Sequence, residues 1–190
     1  ELEQGDSSVV IAITDWGIEL NHPDLAVNIF YNLEDPIDGI DNDNDGYTDN
    51  YYGWDMGSGD NNPTGLVVHG TYVSGCSSAR THNGTGVSGT GFRCKFIPIK
   101  VADDNNNGTR GYESIVYAAD HGCRVINCSW GSTYYQGAYA QDIINYATYN
   151  CNSLVVAACG NAGNSLLYYP ASYDGVLSVA GTTSTDLKWP

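Results

Sequence analysis

The sequence has few basic residues, and this scarcity limits what the protein can bind. Lys and Arg together number 7 of 190 residues, against 22 Asp and Glu, so the formal net charge is −15. A surface that binds the phosphates of a nucleic acid needs clustered Lys and Arg. The composition therefore argues against nucleic-acid binding and predicts an acidic surface that attracts cations.

Long apolar runs and zinc-binding cysteine pairs are also missing. No apolar run approaches the roughly 18 residues that a membrane-spanning helix needs, and no signal peptide is visible. The 6 cysteines form no Cys-x-x-Cys pair or other zinc spacing. Cys128 and Cys159 lie in apolar runs, so we interpret them as buried free thiols. Cys123 and Cys151 each precede a predicted strand, and a disulfide between them is the alternative.

What the sequence does contain is the pattern of a parallel sheet. Short apolar runs predict strands buried on both faces, at residues 9–13, 95–101, 125–128, 154–159 and 176–180. Stretches with helical spacing lie between them, at residues 71–79, 112–121 and 138–149. Buried strands that alternate with amphipathic helices predict an α/β fold, a doubly wound, mostly parallel sheet with helices on both faces.

Polar residues follow three of the predicted strands. Asp15 follows the first strand, Ser129-Trp130-Gly131 follows the strand at 125–128, and Gly160-Asn161 follows the next one. His69 instead begins a predicted helix. Because ligands and catalytic groups gather at the carboxyl ends of parallel strands, we expect these groups to converge on one cleft.

The residue types at this edge suit the activation of a hydroxyl nucleophile. A carboxylate fixes the tautomer of a histidine, the histidine takes the proton of the hydroxyl, and a side-chain amide can donate to an oxyanion. Taken singly, an Asp at a strand end or a His at a helix start is more often structural.

The residues of the motifs and their order along the chain strengthen the catalytic interpretation. Five segments occur in a fixed order: Val10-Ile11-Ala12-Ile13-Thr14-Asp15 with His22-Pro23-Asp24-Leu25, His69-Gly70-Thr71-Tyr72-Val73-Ser74-Gly75, Val125-Ile126-Asn127-Cys128-Ser129-Trp130-Gly131, Val155-Val156-Ala157-Ala158-Cys159-Gly160-Asn161 and Tyr169-Pro170-Ala171. Together they resemble the catalytic domain of the subtilisin-like serine proteases.

The resemblance implies a serine endopeptidase that hydrolyses peptide bonds with an Asp-His-Ser triad. Asp15 would orient His69, which would act as general base and then as general acid. Asn161 would donate its amide to the oxyanion. The resemblance further implies a secreted or cell-envelope protein.

The same resemblance assigns residues to the substrate. Ser129, Trp130 and Gly131 would pair with an extended peptide, with a second edge near Gly108. The pocket for the residue before the scissile bond would be lined by Ala157, Ala158 and Gly160.

The chain departs from the family pattern at three places. Trp16 stands where the family commonly has a small residue, and Tyr72 stands where it usually has a second histidine. Both changes bear on packing and cleft shape. The third departure is that no Gly-Thr-Ser-x-Ala or Gly-Thr-Ser-x-Pro segment occurs, and Ser184 fits a turn better than a nucleophile.

We therefore interpret residues 1–190 as the N-terminal and central part of one subtilisin-like catalytic domain. Its expected partners are a peptide or protein substrate and the C-terminal remainder of the same domain, and we expect the chain alone to be inactive. The alternative is a catalytically inactive, protease-like, calcium-dependent binding domain.

An acidic insert at residues 32–64 predicts a bound cation. Asp41, Asp43 and Asp45 stand at alternate positions before Gly46, and the Tyr47 carbonyl and Asp49 would continue a calcium loop. Position twelve is a tyrosine, so an EF-hand is not expected. Since four carboxylates within nine residues would repel one another, we predict Ca²⁺ in a structural role. A solvated Asp/Asn turn is the alternative.

Overall fold

One parallel sheet organises the protein. The computed structural model describes residues 4–107 and 109–188. Six strands in these ranges pair in the order β2-β3-β1-β4-β5-β6. Their bounds are β1 Val10–Asp15, β2 Trp54–Asp55, β3 Lys95–Lys100, β4 Val125–Cys128, β5 Leu154–Ala158 and β6 Val176–Val179. Every neighbouring pair is parallel, which confirms the α/β prediction.

Helices cover parts of both faces of the sheet. The α-helices are α1 His69–Ser78, α2 Gly111–Asp120 and α3 Gly137–Asn145, and α3 continues into a π-helical turn, Tyr146–Asn150. Successive side chains of a strand point to opposite faces. In β1, Ala12 accordingly joins the core beside α2 and α3, while Ile13 joins a second core with Phe96 and Ala79. The predicted doubly wound arrangement is present.

Within the described ranges, part of one face carries no covering element. We call it the open sheet face, and its side chains are those of Val125, Asn127, Leu154, Val156, Ala158, Leu177 and Val179. Leu154 is 43%, Leu177 50% and Val179 49% exposed, whereas Val155 on the opposite face is fully buried. Because a parallel sheet is normally covered on both faces, a surface of this kind is normally covered by a further structural element.

The chain order explains why the catalytic candidates meet. The chain runs from β1 to its neighbour β3 on one side and then crosses to β4 on the other side. This reversal at β1 is the switch point where open α/β sheets bind ligands. The carboxyl end of β1 therefore lies between the ends of β3 and β4.

The cysteines do not cross-link the fold. All 6 are free in the structure, so the Cys123–Cys151 alternative is not realised. Burial raises the pKa of both Cys123 and Cys128 to about 12, which keeps these thiols protonated. Cys159 is half-buried rather than buried. No helix in the described ranges is long and apolar enough to span a bilayer.

Candidate active site

Asp15 places a buried carboxylate at the carboxyl end of β1. Burial raises the pKa of Asp15 above its ordinary value, and hydrogen bonds from His69 and the Trp16 backbone oppose that rise. The Trp16 N–H donates to Asp15 Oδ1 over 2.8 Å. The orientation of the carboxylate is therefore fixed by the backbone as well as by His69.

His69 is the first residue of α1, and its ring reaches Asp15. Nδ1 of His69 lies 2.8 Å from Asp15 Oδ1 and 2.9 Å from Oδ2. Gly70 permits this approach, since a Cβ there would collide with the carbonyl oxygen of Gly17 and lie 2.9 Å from the Asp15 Cβ. The side chain of His69 is 49% exposed, so its far edge faces solvent.

This geometry identifies the proton-bearing nitrogen of His69. A carboxylate only accepts hydrogen bonds, so Nδ1 must be the donor, and in the neutral imidazole Nε2 then keeps its lone pair. Within the described chain, Nε2 has no hydrogen-bond partner. A histidine with an oriented Nδ1–H and a free Nε2 is arranged as a general base.

The segment after β4 is tied to the same strand as Asp15. The indole N–H of Trp130 donates to Thr14 Oγ1 over 2.8 Å, and Thr14 directly precedes Asp15. No backbone–backbone hydrogen bond in the described ranges involves Ser129, Trp130 or Gly131. Their peptide groups therefore remain available for pairing with another extended chain. Gly108, at the second expected edge, lies outside the described residues.

The segment after β5 is also at this end of the sheet. Gly160 has a φ of +99°, and a Cβ there would lie 2.6 Å from the Tyr168 ring, so glycine is required. Asn161 is exposed, and its side chain makes no hydrogen bond within the described chain. Ala158 is half-buried on the open sheet face. Ala157 points to the opposite face and is 2% exposed, so only its backbone can reach a ligand.

The acidic insert gathers a set of carboxylates that differs from the predicted one. Oxygen atoms of Asp35, Asp41 and Asp43 lie within 4.8 Å of one another. Burial raises the pKa of Asp43, but hydrogen bonds from Asn32 and from the Asp45 backbone outweigh it and lower the pKa below its ordinary value. Asp41 and Asp43 were predicted ligands. Asp35 was not, because it lies outside the alternating pattern.

The side chains of two of the other predicted ligands have partners of their own. Asp45 Oδ2 accepts from Asn50 and lies 2.8 Å from His121 Nε2. Asp49 Oδ1 accepts the backbone N–H groups of Asp38 and Gly39 at 2.9 and 2.8 Å. The Tyr47 ring packs edge-on against Trp54 and Tyr117 in the core, whereas the predicted ligand was its backbone carbonyl. The full predicted set of ligands therefore stays a prediction.

A buried ion pair next to Asp15 was missed by the sequence analysis. Lys100 ends β3 in register with Asp15, and its Nζ lies 2.7 Å from Asp55 Oδ2. It also contacts the Asp104 carboxylate. Burial lowers the pKa of Lys100, but the hydrogen bonds to the two carboxylates raise it overall, which keeps the amine charged. A lysine that ends an apolar strand is the signal that could have revealed this pair.

Comparisons with known proteins show which family this chain is similar to. The model of the Subtilase family matches residues 6–188. Thermitase of Thermoactinomyces vulgaris is 36% identical over 184 residues, which cover 96% of this chain and 58% of thermitase. The thermophilic serine proteinase of Bacillus sp. strain AK1 is 34% identical over 188 residues, covering 98% and 41%. Among solved structures, sphericase has a TM-score of 0.74 at 26% identity, covering 94% and 55%. The chain thus spans about half the length of these relatives.

Proposed function

The chain belongs to the Subtilase family, and we propose that it supplies the Asp-His part of the active site of a serine endopeptidase. The observation that carries the proposal is the contact between His69 Nδ1 and the buried carboxylate of Asp15. A relative named as a thermophilic serine proteinase, aligned over 98% of this chain, supports the reaction class.

In the proposed reaction His69 moves the protons. Nε2 takes the proton of a serine hydroxyl as the oxygen attacks the peptide carbonyl, and it returns that proton to the leaving amine. Asp15 keeps Nδ1 protonated and stabilises the imidazolium that forms between these steps. The Asn161 amide is free of protein partners in the described ranges, so it can donate to the oxyanion.

We place the nucleophilic serine in the remainder of the catalytic domain, outside residues 1–190. The chain has no Gly-Thr-Ser-x-Ala or Gly-Thr-Ser-x-Pro segment. The open sheet face supports this assignment, because it is apolar, exposed and continuous with a groove lined by His69, Tyr72 and Val156. A segment that covers this face would bring its own residues beside His69. On this proposal the chain alone has no peptidase activity.

The proposed substrate is an extended peptide segment. The unpaired backbone of Ser129, Trp130 and Gly131 can form main-chain hydrogen bonds with such a segment, and this binding mode tolerates many side chains. Ala158 and Gly160 lie next to this edge and are proposed to contact the residue before the scissile bond, with the Ala157 backbone behind them.

The acidic insert is proposed to bind Ca²⁺. Asp35, Asp41 and Asp43 offer carboxylate oxygens within 4.8 Å of one another, which are the hard ligands that Ca²⁺ prefers. When bound, the cation would relieve their mutual repulsion and hold the insert, so its role is structural. Asp45 and Asp49 of the predicted set would take part only after rearrangement of their present contacts. The backbone carbonyl of Tyr47 is the remaining predicted ligand.

We also propose that the protein is secreted or resides in the cell envelope. A relative from Natrialba magadii, 32% identical over 179 residues, is named an extracellular serine protease. Exported enzymes meet abundant calcium and many peptide substrates, which suits an acidic chain of net charge −15.

The deciding experiment is labelling of the full-length protein with a serine-directed fluorophosphonate. We expect one labelled serine beyond residue 190, labelling that His69→Ala abolishes, and no labelling of a chain limited to residues 1–190. A control substitution at His82, which lies outside the cleft, should leave labelling intact. Full-length protein that binds calcium but is never labelled would favour the alternative, a catalytically inactive, protease-like binding domain.

A further inference from the structure

Trp16 contacts both members of the Asp15-His69 pair. Its backbone N–H donates to Asp15 Oδ1 over 2.8 Å. Its side-chain ring lies 6.2 Å from the His69 ring, centroid to centroid, at an interplanar angle of 89°. This is an edge-to-face arrangement, the geometry that aromatic pairs prefer.

His69 has few other restraints. Its side chain is 49% exposed, and its hydrogen bonds in the described ranges go to Asp15 alone, through Nδ1. A ring held at one atom can still tilt about that contact, which moves Nε2 away from the nucleophile. The indole of Trp16 lies beside the imidazole and would oppose a tilt toward it.

Trp16 does not belong to either hydrophobic core. Neither core cluster contains it, and its side chain is only half-buried. Instead, it lines a cavity of about 200 Å³ together with the aromatic side chains of Tyr112, Trp130, Tyr139 and Tyr169. This cavity adjoins Gly131, at the edge that we propose for substrate pairing. The indole is thus not fixed by core packing, and its ring contact in the described ranges is with His69.

We propose that Trp16 is a positioning residue that holds the His69 imidazole in line with Asp15. The inference rests on the proposed peptidase function. Without the indole, the imidazole is held at Nδ1 alone, and Nε2 is aligned with the nucleophile for a smaller fraction of the time.

The test compares Trp16→Ala and Trp16→Phe in the full-length protein. Each is assayed for kcat and KM with the same peptide substrate. For Trp16→Ala we expect kcat to fall about tenfold, the scale of one lost aromatic contact, with little change in KM. Trp16→Phe should retain most of kcat, because a ring remains.

A second readout follows the histidine directly and does not need catalysis. In ¹⁵N-histidine-labelled full-length protein, the Nδ1–H proton of His69 gives a resonance that sharpens when the ring is held against Asp15. We expect this resonance to broaden in Trp16→Ala and to persist in Trp16→Phe. Tyr149→Ala, which removes an exposed aromatic ring outside the cleft, is the control and should change neither readout.

The outcomes separate this inference from the proposed function. If Trp16→Ala keeps both kcat and the resonance, Trp16 is a structural residue and the inference fails while the peptidase assignment stands. If the wild-type protein has no peptidase activity but the resonance still depends on Trp16, the function fails and the positioning role survives. Should Trp16→Ala not fold, Trp16→Leu restores apolar volume without a ring and decides the same question.

Discussion

Asp15→Asn is the substitution that examines the proposed chemistry most sharply. Asp15 Oδ1 accepts from the Trp16 backbone, so the oxygen of an asparagine would stay at that position. The asparagine NH₂ would then occupy the Oδ2 position, 2.9 Å from His69 Nδ1. An amide hydrogen that points at Nδ1 forces the proton of the imidazole onto Nε2, and the base loses its lone pair.

The expected magnitude follows from this change of tautomer. In Ser-His-Asp proteases generally, loss of the correct tautomer lowers kcat about 10⁴-fold, which corresponds to about 5 kcal/mol of transition-state stabilisation. KM should change little, because Asp15 is buried and has no access to substrate. Folding should not suffer, since burial raises the pKa of Asp15 and a neutral amide avoids that desolvation.

The assay is steady-state hydrolysis of a peptide substrate by the full-length protein, with urea unfolding of the same samples. Asp24→Asn is the matched control, because Asp24 is equally buried and accepts from Asn83 and Val87 at a place away from His69. It should reduce stability and leave kcat within about threefold. A fall in kcat of less than tenfold for Asp15→Asn, or an equal fall in both variants, would refute the reasoning.

Three further predictions concern stability and alignment. Chelation of calcium should lower the unfolding midpoint, because bound calcium contributes about 2.7 kcal/mol of stability at a hundredfold excess over Kd. Asp35→Asn should remove most of this calcium-dependent stabilisation. An unfolding midpoint that is insensitive to chelator would contradict the calcium proposal. Lys100→Met should cost about 3–5 kcal/mol by leaving the buried carboxylate of Asp55 unpaired. Asp104→Asn, which changes an exposed carboxylate, should cost at most about 1 kcal/mol in the same denaturant titration; equal losses would argue against a buried pair. Gly70→Ala should displace Asp15 and lower kcat about 10²-fold, and it should also lower the unfolding midpoint because the methyl group collides with the Gly17 backbone; unchanged kcat would show that the site tolerates the added methyl group.

The sheet could be predicted from sequence because its strands are continuous apolar runs. The runs around Ile13, Ile97 and Ile126 each fill a whole strand, and local pattern suffices to find them. The two-residue strand β2 has no periodicity and was missed. Its position depends on pairing with β3, which the sequence of Trp54 and Asp55 alone does not encode.

In the candidate site, too, some contacts could be predicted from the sequence and others could not. The juxtaposition of Asp15 and His69 was predicted because each lies in a motif of distinctive wording. Asp35 was not predicted, since its approach to Asp41 and Asp43 comes from the folded path of the insert. The ring contact between Trp16 and His69 depends on side-chain orientation across 53 positions of the chain, which no local pattern records.

The first part of the acidic insert begins and ends at the same place in the fold. The Asn32 N–H donates to the carbonyl of Tyr51 over 3.0 Å, so the chain between them leaves and re-enters the fold at one place. The closure entropy of such an excursion grows slowly with its length. Evolution or an engineer can therefore change parts of this excursion, and with them the cation requirement of the protein, provided that the core contacts of Tyr47 and the contact between Asp45 and His121 are kept. The stability that a bound cation gives and the activity of the catalytic residues can then change independently in one chain.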